Sequence, residues 1–393
     1  MADKRRDVAP HDTRAKKGGP EPGRNHLLLR ALLCFAAVRI LGVVVLSIWS
    51  TTTGKSADVL LSRRWDSLWY VRVTQWGYDF TLTAPDGRVL SDRAFYPFFP
   101  WAEHAVSVAT SVSLPTAGLM VSAMASLCAA AGVYEAVREA TGERTAAFAV
   151  VLWAAVPVGI VQSMAYSEAL FTALAAWTLV LAAKERWVAA GALAAAAGLT
   201  RPVGVAVVLA VVVGACGQSL RSSRVSAQQQ IRRLVGALIA VMGLMAYPIW
   251  VGRHGHDGVL GYMDVQRAWG VGFDGGVAFA VFLGRLLRGP GAIGGLLLIA
   301  GVAVVVAAYW RGFSLRLPLT VQVYAGTVVV LALGASGYFG SKPRLLLPAF
   351  SLLIPPAVRL ARARPRHSIT LVAALAASSA LYGAFWLNGT GPP

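Results

Sequence analysis

Apolar residues in this chain fall into long blocks, separated by short polar segments and by two longer ones. Leu27 to Trp49, Ala146 to Met164, Leu234 to Val251, Ile293 to Tyr309, Leu317 to Leu333 and Ile369 to Leu387 are the clearest blocks. A helix of roughly 20 apolar residues spans a bilayer. The pattern predicts an all-α polytopic membrane protein with about eleven spans. These lie near 27–49, 104–137, 145–163, 167–183, 187–200, 202–217, 234–251, 291–309, 317–335, 345–360 and 368–388. The spans at 187–200 and 202–217 are short and meet at Arg201-Pro202. Proline removes a backbone donor and disfavours helix at the residue before it. Such a break needs protein or water around it rather than lipid, so a turn opening into a polar cavity is expected there. No heptad repeat, collagen-like tract or internal repeat is visible.

Composition agrees with this pattern. The chain is 56% hydrophobic and 14% charged, against about 25% charged in an ordinary soluble domain. A net charge of +18 would suit nucleic acid if it covered one soluble domain. Here it is divided among short segments between apolar blocks, so no nucleic-acid partner is expected. With residues 1–26 placed inside and the spans alternating, the inside segments carry 22 Lys and Arg and the outside segments 13. This bias follows the positive-inside rule and places the N-terminus in the cytoplasm. Residues 1–26 read as a disordered basic tail, 27–388 as the membrane domain and 389–393 as a short external C-terminus. The first block is too long for a signal-peptide core, and no A-x-A site follows it. Ten of the 18 acidic residues fall outside, mostly in two long external loops, 50–103 and 252–290. Both loops are rich in Trp, Tyr and Phe, which argues for order at a membrane interface.

No motif for a nucleotide phosphate, a dinucleotide or a catalytic metal is present, and no cofactor or metal is expected. His254 and His256 are paired in a Gly-rich loop, a weak metal signal. Cys34, Cys128 and Cys216 each lie within an apolar run and read as small buried hydrophobes without disulfides. Apart from the tail, no cytoplasmic segment exceeds about 16 residues, which leaves no room for a cytosolic nucleotide-sugar site.

Six polar elements are candidates for chemistry. The first is Arg63-Arg64-Trp65-Asp66-Ser67-Leu68-Trp69-Tyr70, followed by Trp76-Gly77-Tyr78-Asp79. A carboxylate between aromatics at a membrane surface can act as a general base, and the rings could bind a sugar or an isoprenoid. The same residues also suit an interfacial aromatic belt with a solvated Asp. The second is Ala94-Phe95-Tyr96-Pro97-Phe98-Phe99-Pro100-Trp101, an anchor or a platform. The third is Tyr166-Ser167-Glu168: either a functional carboxylate near membrane depth, or a helix start with Ser167 as N-cap and Glu168 in the first turn. The others are Arg201-Pro202-Val203-Gly204, Gln266-Arg267-Ala268-Trp269 and Ser341-Lys342-Pro343-Arg344. Their basic residues suit lipid headgroups, or the phosphate of a leaving group.

Taken in order, these elements resemble the PIG-V-type mannosyltransferases in their shorter bacterial form. The resemblance rests on Trp65-Asp66 with Trp69-Tyr70 and Gly77-Tyr78, and on the Ala94–Pro100 segment. It continues through Tyr166-Ser167-Glu168-Ala169-Leu170-Phe171, Gly198-Leu199-Thr200-Arg201-Pro202-Val203-Gly204, Gln266-Arg267-Ala268-Trp269 and Pro343-Arg344. It departs from the family at Ser67, where a glycine or another small residue is usual, and at Tyr96, where many members carry a second Phe. The resemblance implies a GT-C glycosyltransferase fold. It also implies transfer of mannose or a related sugar, with inversion, from a polyprenyl-phosphate donor to a lipid or glycan acceptor on the outer face of the cell membrane. It casts Asp66 as general base. Trp65, Trp69, Tyr70, Tyr96, Tyr166, Glu168, Gln266 and Trp269 become binding residues, and Arg201, Arg267, Lys342 and Arg344 the groups that offset phosphate charge. It leaves the acceptor open. Glu168 is the rival base, and a membrane transporter or lipid flippase is the alternative function, favoured by Arg39 and the Arg201-Pro202 break but not by the long aromatic loops.

Overall fold

The computed structural model describes residues 24–221, 226–255 and 258–391. The tail expected over 1–26 lies outside the described residues except for its last three positions, which open the first helix. His256 also lies outside them.

In chain order the helices are α1 (Arg24–Thr52), α2 (Ala57–Ser62), α3 (Asp66–Trp76), α4 (Phe98–Thr110), α5 (Leu114–Thr141), α6 (Glu143–Ala154), α7 (Glu168–Ala183), α8 (Trp187–Gly198) and α9 (Gly204–Arg221). They continue as α10 (Ala227–His254), α11 (Gly261–Ala268), α12 (Val277–Arg288), α13 (Ala292–Ser314), α14 (Leu319–Gly334), α15 (Lys342–Leu345), α16 (Ile354–Arg362) and α17 (Pro365–Asn388). Two short strands, β1 (Thr81–Thr83) and β2 (Val89–Ser91), form an antiparallel hairpin within the first long loop.

By length and composition, five helices among the described residues can cross a membrane: 26–52, 114–141, 227–254, 292–314 and 365–388. Two bent pairs, Glu143–Ala154 with Pro157–Ser163 and Phe339–Leu345 with Phe350–Arg362, bring the number to seven if each is one crossing. Four shorter apolar helices fill the remaining expected positions: α7, α8, α14 and residues 204–217 of α9. The structure departs from the expected pattern in three places. The span expected over 104–137 is two helices, because Ser111 turns left-handed and α5 restarts with Pro115 in its first turn. The spans expected over 145–163 and 345–360 are each sharply bent, by 84° and 77°.

Those bends leave backbone carbonyls without helical partners, and buried side chains take them up. At the first bend, the buried guanidinium of Arg39 on α1 donates to the carbonyl oxygens of Ala154 (2.6 Å) and Gly159. Gln162 Nε2 donates to the Trp153 carbonyl at 2.9 Å. At the second bend, Trp153 Nε1 donates to the Leu347 carbonyl at 3.0 Å and the Tyr324 hydroxyl to that of Pro348 at 2.9 Å. Arg39, a charge within an apolar span, is thus accounted for by the break it holds open.

Small residues bring α8 and α10 together backbone to backbone. A Cβ added at Gly191 would lie 2.1 Å from the Gly236 carbonyl oxygen, and one at Gly236 would lie 2.2 Å from that of Trp187. Apolar helices in lipid gain little from hydrophobic burial against one another, so close approach of this kind supplies their van der Waals contact. Gly191→Leu is expected to separate the pair. The variant should lose its discrete thermal transition in detergent, or melt well below wild type, while the same change at exposed Gly294 should not.

The two long loops are ordered and joined to each other. Arg93 donates to the His254 carbonyl at 3.0 Å, Trp269 Nε1 to that of Ser91 at 2.9 Å, and Gln266 Nε2 to that of Ala94 at 3.3 Å. Asp92, fully buried, accepts the backbone N–H groups of Asp79 and Phe80 and closes the hairpin. Helix α4 runs back from this layer and carries Glu103. Its carboxyl is buried, with Oε2 accepting from the Thr74 hydroxyl of α3 at 2.8 Å. Its Oε1 lies where any side chain at Gly118 would intrude, at 2.8 Å. Burial pushes this carboxyl up to about 8, outweighing the opposing pull of Thr74. The folded state therefore holds the neutral acid. The unfolded chain ionises from about 4.5, so this contribution to stability is complete below that value and is lost as pH rises through about 8. Wild-type protein should melt at a lower temperature at pH 9 than at pH 6. Glu103→Gln should flatten that difference, and an unchanged slope in the variant would show that another group titrates.

Candidate active site

Asp66 is the first residue of α3, where the chain turns abruptly. Trp65, just before it, has φ 53°, a left-handed value that is uncommon for a bulky residue. Ser67 closes this turn: its hydroxyl accepts the Arg64 N–H at 3.0 Å and donates to the Arg64 carbonyl at 2.7 Å. The serine that departs from the resembled motif is therefore small enough for the turn and locks it. The Arg64 guanidinium stacks on the Trp65 ring, 3.9 Å from its centre.

Arg344, the third residue of α15, reaches the site from the far end of the sequence. Its guanidinium donates through one nitrogen to Asp66 Oδ2 and through Nε to Glu168 Oε1, and it lies 4.5 Å from the centre of the Tyr166 ring. Arg201, in the break between α8 and α9, pairs with the same Glu168 oxygen at 2.5 Å. It also donates to Ser167 Oγ at 3.1 Å, and Ser167 Oγ shares a 2.8 Å hydrogen bond with the Tyr70 hydroxyl of α3. Two carboxylates and two guanidiniums, from four distant parts of the chain, thus form one cluster. Ser167 has helical backbone angles and makes no capping bond, so the N-cap reading of Tyr166-Ser167-Glu168 is replaced by a bridging role.

The two carboxylates differ in access. The Glu168 side chain is 0% exposed and carries both arginines on one oxygen, whereas that of Asp66 is 26% exposed and carries only Arg344. Of these two carboxylates, Asp66 alone has solvent access.

Beside the cluster stands an aromatic wall drawn from both long loops. Trp69 stacks on Phe95 at 5.5 Å, and the Trp269 ring meets both edge-on at 5.0 and 5.3 Å. Arg72 lies 3.3 Å from the centre of the Phe80 ring, which also contacts Trp69.

The remaining candidates lie elsewhere. Tyr96 is buried among Tyr247 and Tyr262, 4.6 and 5.7 Å away. Gln266 binds the Tyr262 hydroxyl at 2.8 Å and serves the loop junction. The Arg267 side chain is 72% exposed and paired with Asp264 on its own helix. Lys342 turns its ammonium to the carbonyls of Ala332 and Ala335, at 3.1 and 2.5 Å, over the Phe279 ring. Of the four cations expected to surround one phosphate, the structure brings together Arg201 and Arg344 only. Ser167 and Phe95 join the site although neither stood among the expected site residues. Each sits inside a quoted motif, but nothing in the sequence says which way its side chain turns. Among the described residues no three His, Cys, Asp or Glu side chains gather as a metal site.

Residues 95–250 match the family model for dolichyl-phosphate-mannose-protein mannosyltransferase. That stretch includes Glu168 and Arg201 but neither Asp66 nor Arg344. No curated protein matches the chain in sequence. Among solved structures, ArnT from Cupriavidus metallidurans bound to undecaprenyl phosphate superposes with a TM-score of 0.53 at 18% identity, over 87% of this chain and 63% of that one. The oligosaccharyltransferase AglB from Archaeoglobus fulgidus, in complex with an inhibitory peptide and a dolichol-phosphate, gives 0.51 at 15% identity, over 95% of this chain and 57% of that one. The chain therefore spans about three fifths of the length of these neighbours. With its bundle of apolar helices and its ordered loops, it has the GT-C fold of membrane glycosyltransferases.

Proposed function

We propose that the protein is a membrane glycosyltransferase that moves a sugar from a polyprenyl-phosphate donor to a hydroxyl of a lipid or glycan acceptor, with inversion. The observation that carries this is the single cluster in which Arg344 bridges an accessible Asp66 and a buried Glu168 that also holds Arg201. The match of residues 95–250 and the bound polyprenyl phosphates of ArnT and AglB support the donor class. Mannose is the sugar favoured by the resemblance in the sequence and by the description of the matched family.

The chemistry follows from the geometry. The donor phosphate approaches Arg344 and Arg201, and its negative charge competes with Asp66 for the Arg344 guanidinium. Asp66, released from that pair, accepts the proton of the acceptor hydroxyl. The hydroxyl oxygen bonds to the anomeric carbon from the face opposite the phosphate, and the bond from that carbon to the phosphate oxygen breaks. The charge that develops on the leaving phosphate is met by the two guanidiniums. Glu168, buried and without solvent contact, holds both arginines in place. The Trp69–Phe95–Trp269 wall offers flat apolar faces to the sugar or the first isoprene units.

A transporter reading drew on Arg39 within the first span. That guanidinium is engaged by two carbonyls of the helix break, which removes its support for a polar path.

Two experiments test the proposal. In transfer from radiolabelled polyprenyl-phosphomannose to membrane acceptors, Asp66→Asn should lower turnover by at least about 100-fold, the lower end of what a positioned base supplies. It should keep the wild-type melting temperature and donor binding. Glu168→Gln should lower stability, because removing one partner of a buried ion pair costs about 3–5 kcal/mol. If Asp66→Asn stayed active while a folded Glu168→Gln lost turnover, the base would be Glu168. The second experiment addresses sidedness, with loops 50–103 and 252–290 external and the N-terminus cytoplasmic. Cysteines introduced at exposed Arg88 and Arg267 should label in intact cells with an impermeant maleimide, and one at exposed Arg232 should not. The reverse pattern would invert the topology.

A further inference from the structure

A hollow lies at the loop end of α1 and α17, lined by none of the residues of the ion-pair cluster. It has a volume of about 420 Å³ and is lined mainly by Trp49, Thr53, Tyr338, Phe385, Trp386 and Asn388. That volume lies within the roughly 300–1,000 Å³ range of small-molecule sites. The walls are aromatic and their geometry is held. Trp386 stacks on Tyr382 at 5.7 Å, and Trp49 meets Phe385 edge-on at 6.4 Å. Polar groups stand at one rim. Asn388 Oδ1 accepts from the Thr53 hydroxyl at 2.8 Å, and its Nδ2 donates to the Ala384 carbonyl at 2.9 Å. An amide oxygen accepts two hydrogen bonds, so Oδ1 has the capacity to accept one more besides that from Thr53.

No lining residue carries a charge. Two cations at its rim, Lys55 and Arg64, are engaged by the backbone of the α17 terminus. Lys55 donates to the Asn388 carbonyl, and Arg64 donates to those of Leu387 at 3.0 Å and Gly389 at 3.3 Å. This is the opposite of the phosphate side, where two guanidiniums meet the carboxylates. A phosphate would find no charged side chain in this lining. A neutral ring with apolar faces and hydroxyl edges would find both of its surfaces matched. A narrow, mainly apolar slot shares Trp386 with the hollow and is lined by Val158, Ile160, Val161, Gly340 and Tyr382. Its volume is about 10 Å³, too small for a sugar, so a ring must stay in the outer chamber.

The hollow is tied to the candidate base. Arg64, which holds the α17 terminus, lies two residues before Asp66, and Gly340 of the slot lies four before Arg344. We infer that this hollow is the acceptor subsite: it binds an uncharged hexose ring of a glycolipid or glycan acceptor and delivers it to Asp66 from the side away from the donor phosphate. The inference rests on the glycosyl-transfer reading for its role, although saccharide binding can be measured without turnover.

The test uses protein in lipid nanodiscs and two probes, an octyl hexoside with a diazirine at the chain end and the matching diazirine octanol. Photolysis and peptide mapping should place the sugar probe on 376–391 and 45–53, about 10-fold above the octanol, the ratio set by about 1.4 kcal/mol of sugar contact. Tyr338→Ala, at an exposed wall, and Asn388→Ala should each abolish most of that excess while the protein elutes and melts as wild type. Labelling in the same peptides by both probes equally would identify a lipid-chain site and overturn the inference, as would sugar-dependent labelling elsewhere. If the sugar probe maps here but no polyprenyl-phosphate sugar is ever consumed, the subsite stands and the transfer reading falls. If transfer proceeds with wild-type acceptor KM in both variants, the subsite falls alone.

Discussion

The site depends on one buried carboxylate. Glu168 has no solvent contact, and an ion so placed is tolerated only when opposite charges and hydrogen bonds surround it. Arg201 and Arg344 supply that surrounding, and each is anchored in a segment where the regular helix fails. Arg201 lies in the break before Pro202, and Arg344 lies in the short α15 before the second bend. The need to neutralise Glu168 therefore draws together the α6–α7 junction, the α8–α9 break and the α14–α16 connection. Asp66 is drawn in by the free side of the Arg344 guanidinium.

Irregular backbone in a membrane domain must find its own hydrogen-bond partners. Here the partners are large side chains: Arg39, Trp153 and Tyr324 from other helices, and Gln162 from across the bend itself. The two bends and the charged cluster support each other. The bends set Tyr166-Ser167-Glu168 and Arg344 at one level, and the cluster holds the bent segments to α3 and α9. The joined long loops complete the arrangement by placing Trp69, Phe95 and Trp269 against one another. The charged cluster of Asp66, Glu168, Arg201 and Arg344 has no counterpart in the aromatic hollow, whose lining is uncharged.

Much of this was legible in the sequence. Long apolar blocks with sparse charge determine an all-helical membrane protein, because a helix is the economical way to satisfy a backbone in lipid. The Trp-Asp, Tyr-Ser-Glu, Arg-Pro and Pro-Arg elements marked the residues that meet, since polar groups beside apolar runs are costly without a purpose. Sequence alone did not decide how those elements combine. Arg267 and Lys342 carry the same charge as Arg201 and Arg344 and had equally plausible neighbours. One instead pairs with Asp264 on its own helix, and the other caps the end of α14. Ser167 looked like a helix cap and is a bridge. The breaks within 104–137, 145–163 and 345–360 were hidden by continuous apolarity, because hydropathy records burial but not the direction of the chain. Direction is set by long-range hydrogen bonds such as Arg39 to Gly159 and Trp153 to Leu347, between residues more than a hundred positions apart. Only the folded bundle brings such pairs together.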